Sequence, residues 1–206
     1  MKPYLLPIRA AQADFVEKKS RFIGHISPVA SEEEARTFLQ SVREQHREAN
    51  HNVYAYRLKE NGIMRHSDDG EPGGTAGLPL LNVFLKQDIY DFCCVATRYF
   101  GGIHLGAGGL VRAYSRCGTI ALNAAGVGAK RELALCAVSM AYGQYESVKR
   151  LLIASNASIS DEAFGADVTL TFSLLSEGVD ALQHALTEQT AATVQIIKLG
   201  VHYAVI

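Results

Sequence analysis

Five glycines fall within nine residues, Gly101, Gly102, Gly106, Gly108 and Gly109, between a run that reads as a buried strand and a run that reads as a helix. Arg98 stands before them, and Arg112 and Arg116 stand after them. Glycine lets the backbone take positive φ and lets another surface approach closely. A glycine-rich turn feeding a helix N-terminus aims several N–H groups at one place, which suits an anion. A second glycine-rich loop lies upstream and is acidic: Ser67-Asp68-Asp69-Gly70-Glu71-Pro72-Gly73-Gly74-Thr75-Ala76-Gly77. It too leads into a helix-like run. A working surface in this chain is expected to be built from these two loops.

The chain has 206 residues, enough for one large domain or two small ones. No run reaches the ~18 consecutive apolar residues that span a bilayer. The first 15 residues hold two prolines and no signal-peptide cleavage pattern, so the chain is expected to stay in the cytoplasm, with no membrane partner. Cys93, Cys94, Cys117 and Cys136 form no CxxC pair and read as reduced, buried small hydrophobes. Cys93 and Cys94 are adjacent in a strand-like run and should point to opposite faces. The net charge is −1. Residues 1–130 hold 16 Lys and Arg against 13 Asp and Glu, a balance of +3; residues 131–206 hold 4 against 8, a balance of −4. An anionic partner therefore fits the first half better, without strong nonspecific binding to nucleic acid.

Phe15 to Val29 reads as extended, with Lys18, Lys19 and Arg21 on it. Ser31 caps a helix opened by three glutamates, and Glu34 completes a capping box; Ala35, Phe38, Leu39 and Val42 form its inner face. Asn52 to Lys59 and Ile63 to His66 read as strands around the Asn61-Gly62 turn. Thr75 to Gln87 reads as a helix with Pro79 near its first turn. Phe92 to Tyr99 reads as a strand. Ala107 to Ala125 reads as a helix with Leu110, Val111, Tyr114, Cys117 and Ala121 inward. Residues 126–131 read as a linker. Beyond them Leu133 to Ala141, Gln144 to Ser155, Ala157 to Phe164, Val168 to Leu174, Ser176 to Gln189 and Thr193 to Val205 follow the order βαββαβ, with a break at Gly200. That is the ferredoxin-like plan. The fold class is α+β, in two domains, 1–128 and 132–206.

Four chemistries compete for the loops. His66, Ser67, Asp68 and Asp69 hold the residue types of a triad, but sequence neighbours rarely converge as nucleophile, base and orienter, and no G-x-S-x-G elbow is present. The bland reading is a polar turn. Asp68, Asp69 and Glu71 could hold Mg²⁺, or could pair with Arg98, Arg112 or Arg116 and hold the second loop in place. No P-loop or G-x-G-x-x-G spacing points to a nucleotide cofactor. A phosphate backbone could lie on Arg98, Arg112, Arg116 and the loop N–H groups, with Tyr99 and Phe100 stacking on bases if they are exposed. Against this, Tyr99 and Phe100 could be core residues and the glycines could serve tight packing. Among the seven histidines, His104 alone sits in a glycine loop.

The two motifs together, Ser67 to Gly77 and Thr97-Arg98-Tyr99-Phe100-Gly101-Gly102-x-x-Leu105-Gly106-x-Gly108-Gly109-Leu110, resemble the IMPACT family, and within it the bacterial YigZ type. The resemblance covers essentially the whole chain. It implies an N-terminal domain folded like domain 2 of a ribosomal small-subunit protein and domain IV of elongation factor G. It implies a C-terminal domain like domain V of that factor, in agreement with the βαββαβ order. Such a tandem implies contact with RNA or the ribosome. Eukaryotic relatives block activation of a kinase acting on an initiation factor, through an additional N-terminal module that this chain is expected to lack. The resemblance carries no established enzymatic reaction.

The reading is thus a non-enzymatic cytoplasmic protein that binds RNA or the translation machinery and regulates translation, with neither cofactor nor metal. The candidate RNA or anion contacts are Arg98, Gly101, Gly102, His104, Gly106, Gly108, Gly109, Arg112 and Arg116. The second loop contributes Asp68, Asp69, Glu71, Gly73, Gly74 and Thr75. The alternatives are a small-molecule or phosphate-ligand enzyme using both loops as one pocket, and a protein–protein adaptor. Oligomeric state stays open.

Overall fold

The computed structural model describes residues 3–206, so the first two residues of the expected N-terminal domain lie outside the described residues. These residues divide into two compact units, Tyr4–Ala129 and Lys130–Ile206, with Pro3 grouped with the second.

The N-terminal unit begins with β1 (Tyr4–Pro7), β2 (Ala11–Glu17) and β3 (Ser20–Pro28). The single extended segment expected over 15–29 is therefore two strands. Lys18 and Lys19 turn the chain between them with φ of 45° and 64°, and Glu17 pairs with Ser20. A two-residue hairpin needs positive φ at both turn positions, which Asn-Gly signals and Lys-Lys does not. Helix α1 (Glu32–Gln45) starts at Ser31, whose hydroxyl accepts the Glu34 N–H at 3.1 Å. Glu34 reaches one residue further back than a capping box requires and accepts the Ala30 N–H at 2.7 Å.

Then follow β4 (His51–Arg57), β5 (Met64–Ser67), α2 (Gly77–Leu85), β6 (Phe92–Tyr99) and α3 (Ala107–Ala125). The sheet runs β2-β3-β6-β4-β5, and every neighbouring pair is antiparallel. Helices cover both faces. On one, Phe22, Val53, Cys94 and Ala96 pack with Leu80 and Phe84 of α2 and with Tyr114 and Cys117 of α3. On the other, Cys93 and Val95 pack with Ala35, Leu39 and Val42 of α1. Central β6 is therefore buried on both sides, and Cys93 and Cys94 do face opposite layers. Burial pushes the Cys93 thiol up to about 12. Val111 departs from the expected inner face of α3 and is exposed. It sits one position past Leu110, about 100° round the helix from the buried stripe.

The C-terminal unit is built from β7 (Val127–Met140), α4 (Tyr145–Ala154), β8 (Ser158–Phe164), β9 (Val168–Leu175), α5 (Val179–Thr190) and β10 (Ile196–Val205). Within this unit the strands lie in the order β10-β7-β9-β8, antiparallel throughout, which is the ferredoxin-like βαββαβ topology. Residues 127–131, expected as a linker, are strand instead. Lys130 and Arg131 pair with Val205 and Ala204, more than 70 positions away, a partner that local composition does not announce. Cys136, Val138, Leu170 and Phe172 face Val148, Leu152, Leu182 and Leu186 of the two helices. The expected break at Gly200 is a β-bulge: the register slips between Lys198 and Gly200. No helix among the described residues is long and apolar enough to cross a membrane.

Candidate nucleic-acid interface

The acidic loop leaves β5 and enters α2, and its carboxylates do three different jobs. Asp68 accepts the N–H groups of Gly74 at 2.8 Å, Ala76 at 3.0 Å and Gly77 at 2.7 Å. It caps α2, whose preceding residue Ala76 has no side chain to do so. Burial raises the Asp68 carboxyl, the three N–H donors lower it, and the net direction is down. Asp69 accepts the Asn52 N–H at 2.6 Å and Arg43 at 3.0 Å. Its carbonyl accepts from His51 Nδ1 at 2.8 Å. Thr75 closes a turn onto the Pro72 carbonyl at 2.6 Å. Gly74 holds a φ of +76°, and Gly73 stands in open space. The chain's own donors thus occupy Asp68 and Asp69, and neither the triad reading nor the Mg²⁺ reading finds its carboxylates converging.

Glu71 turns inward and is 8 % exposed. Its Oε1 accepts from Arg98 Nη1 at 2.6 Å and from the Tyr114 hydroxyl at 2.7 Å. Burial, and then the hydrogen bond to Glu71, push the Tyr114 phenol far above its ordinary value. Arg98, at the end of β6, also donates through Nη2 to Ser20 Oγ at 3.3 Å. Sequence reasoning placed Arg98 on a phosphate. It is buried and committed to Glu71 and Ser20, so it is an internal strut between the two loops, the pairing role weighed as the alternative.

The second loop is pinned to the β2–β3 hairpin. A Cβ at Gly101 would lie 2.0 Å from the Lys19 carbonyl, so no other residue fits. The Gly101 N–H donates to Ser20 Oγ at 3.2 Å, and the Phe100 N–H to Asn50 Oδ1 at 2.7 Å. Gly102 and Gly106 take φ of 83° and 74°. Gly106 precedes α3 and has no side chain to cap it, which leaves the first N–H groups of a 19-residue helix open at Ala107, Gly108 and Gly109. Phe100 is 40 % exposed, with the His104 ring 5.2 Å from its own. Tyr99 is half-buried, and its hydroxyl meets His46 Nδ1 at 2.9 Å.

Two hollows flank this loop. The larger, about 400 Å³, brings Asn50, His51 and Glu71 together with Phe100, His104 and Gly106. The smaller, about 220 Å³, is lined by Phe15, Glu17, Lys18, Gly109, Arg112 and Arg116, three cations against one carboxylate. Leu105 lines both. The Arg116 guanidinium lies 4.3 Å from the centre of the Phe15 ring and 3.9 Å from Glu17. Among the described residues, Lys18, Lys19 and Arg112 have no carboxylate partner. The two glycine loops therefore meet, but Arg112 and Arg116 line a different hollow from Glu71, Arg98 and His104. Asp68, Asp69, Gly73, Gly74, Thr75, Gly101, Gly102 and Gly108 line neither hollow, and Gly73, Gly74, Gly102 and Gly108 among them are exposed. Sequence reasoning missed Asn50, His51 and Lys18. They come from a strand start and a hairpin tip with no motif of their own.

The Impact N-terminal domain family matches residues 18–122, and a domain family of unknown function (DUF1949) matches residues 138–193. The IMPACT family member YvyE of Bacillus subtilis is 38% identical over 188 residues, 91% of this chain and 87% of that protein. The family member YigZ of Escherichia coli is 32% identical over 204 residues, 97% of this chain and 99% of its own. A crystal structure of a hypothetical protein aligns over 97% of this chain and 98% of its own with a TM-score of 0.61 at 30% identity. With the first family matching more than half of the chain and two relatives above 30% identity along nearly all of it, this chain belongs to the IMPACT family.

Proposed function

We propose that the protein is a cytoplasmic RNA-binding protein that acts on the translation machinery through the surface between the β2–β3 hairpin and the start of α3. The observation that supports this most is the meeting of two unlike hollows at Leu105. On one side Lys18, Arg112 and Arg116 gather positive charge beside the open N-terminus of α3. On the other an exposed aromatic pair, Phe100 and His104, borders a cleft. Cations and helix N–H groups hold phosphates, and aromatic faces hold unstacked bases. The juxtaposition fits a single strand or a loop better than a duplex.

Sedimentation of the tagged protein through a sucrose gradient from lysate, at low and moderate salt, with and without RNase, tests the reading. Co-migration with ribosomes or RNA, lost on RNase or added salt and lost in the Arg112→Glu/Arg116→Glu variant, supports it. Migration as a small free protein in every condition overturns it. A second reading, a protein adaptor, is favoured by β10, an edge strand on which Ile197, Leu199 and Val201 are 58 %, 55 % and 61 % exposed. It requires a partner that survives nuclease treatment.

A further inference from the structure

The larger hollow holds a set of hydrogen-bonding groups that the fold does not use. Glu71 spends Oε1 on Arg98 and Tyr114, and it lines the hollow with its second oxygen, Oε2, outside those two bonds. His51 stands beside it, with Nε2 3.8 Å from Glu71 Oε1. Its Nδ1 faces the Asp69 carbonyl, which only accepts, so Nδ1 carries a proton, and in the singly protonated ring Nε2 is left as a second acceptor. Asn50 uses Oδ1 on the Phe100 N–H, which fixes the amide so that Nδ2 remains as a donor. Phe100, 40 % exposed, forms an apolar wall of the same hollow.

Two acceptors, one donor and an aromatic face are the groups that cytosine presents to its partner base. We propose that this hollow is a guanine-binding pocket, with Phe100 stacking on the base, Glu71 and His51 accepting its N1–H and N2–H groups, and Asn50 donating to O6. Guanine alone among the RNA bases carries two adjacent N–H donors on its Watson–Crick edge. Adenine, cytosine and uracil each place an acceptor lone pair against Glu71 or His51, and a site built to receive donors rejects such a base strongly. The buried Arg98 and Tyr114 hold the carboxylate in one position, so recognition comes from a preorganised group. This inference rests on the RNA-binding reading and deepens it: the basic hollow holds backbone phosphates, and the neighbouring hollow selects the base.

The test is fluorescence anisotropy with labelled UUGUU, UUAUU, UUCUU and UUUUU at about 50 mM salt, together with thermal shifts in free GMP and UMP. The expected result is binding of UUGUU about tenfold or more tighter than the other three. His51→Ala and Phe100→Ala, each checked by its melting curve, abolish that preference and leave weak binding of all four. Arg112→Glu/Arg116→Glu weakens all four alike. Equal wild-type affinity for the four strands overturns the guanine pocket and leaves RNA binding standing. No binding of any strand, with GMP but not UMP raising the melting temperature, overturns the RNA reading and leaves a guanine mononucleotide site. No response to strand or nucleotide overturns both.

Discussion

Arg98 and Glu71 fasten the two glycine loops together from the inside, with Nη1 2.6 Å from Oε1 and side chains only 6 % and 4 % exposed. Neither charge can be removed alone without stranding the other. Breaking one half of a buried pair costs about 3–5 kcal/mol. Glu71→Gln and Arg98→Met are each expected to destabilise the N-terminal unit by that order, and the double variant by less than the sum. Urea denaturation of the four proteins measures the coupling.

Gly101 is expected to tolerate no side chain. Alanine there meets the Lys19 backbone at 2.0 Å, and backbone cannot swing aside as a side chain does. Gly101→Ala should cost about 1–3 kcal/mol or more. Gly73→Ala, at a position with nothing within 4 Å of the added methyl, should change stability by less than about 0.5 kcal/mol. Thermal melts of the two variants compare them directly.

The basic surface should be separable from the fold. Arg112 and Arg116 lie on the exposed side of α3, so Arg112→Glu/Arg116→Glu should unfold within about 0.5 kcal/mol of the parent. If Lys18, Arg112 and Arg116 meet three phosphates, log K for a single strand should fall with log salt at a slope of about −2, and that slope should flatten in the variant. Anisotropy titrations across a salt series read it.

Acid should weaken the N-terminal unit through His25. Burial, and then the His46 ring 4.9 Å away, lower this imidazole to about 4. An unfolded histidine titrates near 6.5, so below that pH the unfolded chain takes up a proton that the folded one refuses. Stability is full above about pH 6.5 and falls as the pH drops towards 4, by up to about 1.4 kcal/mol per unit. Urea midpoints at about pH 7 and about pH 5 should differ less in His25→Gln than in the parent. An equal difference in both proteins would remove His25 as the cause.

Where local signals coincide, the sequence is a good guide to this fold. Ala107 to Ala125 is helical over the expected range because its apolar residues recur at helical spacing and glycine stands at both ends. Val168 to Leu174 alternates strictly and is a strand buried on every second residue. Features that depend on distant partners are hidden. The Lys18-Lys19 turn is set by the pairing of its flanking strands, against the residues' own preference. The start of β7 is set by β10. Arg98 reads as a surface cation because its partner lies 27 positions upstream, and residue type alone does not reveal a buried pair. The same blindness hides His51, which lines the larger hollow only because β4 brings it beside Glu71.

The bulge in β10 decides which side of the sheet its residues take. Ile196 pairs across from the buried Val138, and beyond the slip Val201 pairs across from the buried Ala134. By register, even-numbered residues before the bulge and odd-numbered ones after it lie on the same side as the buried residues of β7, although Val201 itself is exposed, and the one extra residue, Leu199, stands outside the ladder. Removing Leu199 would leave every other side chain of the strand on its present face. The other nine residues of the strand keep one regular alternation of sides, so a single unpaired residue is held in the middle of a sheet without turning that sheet inside out.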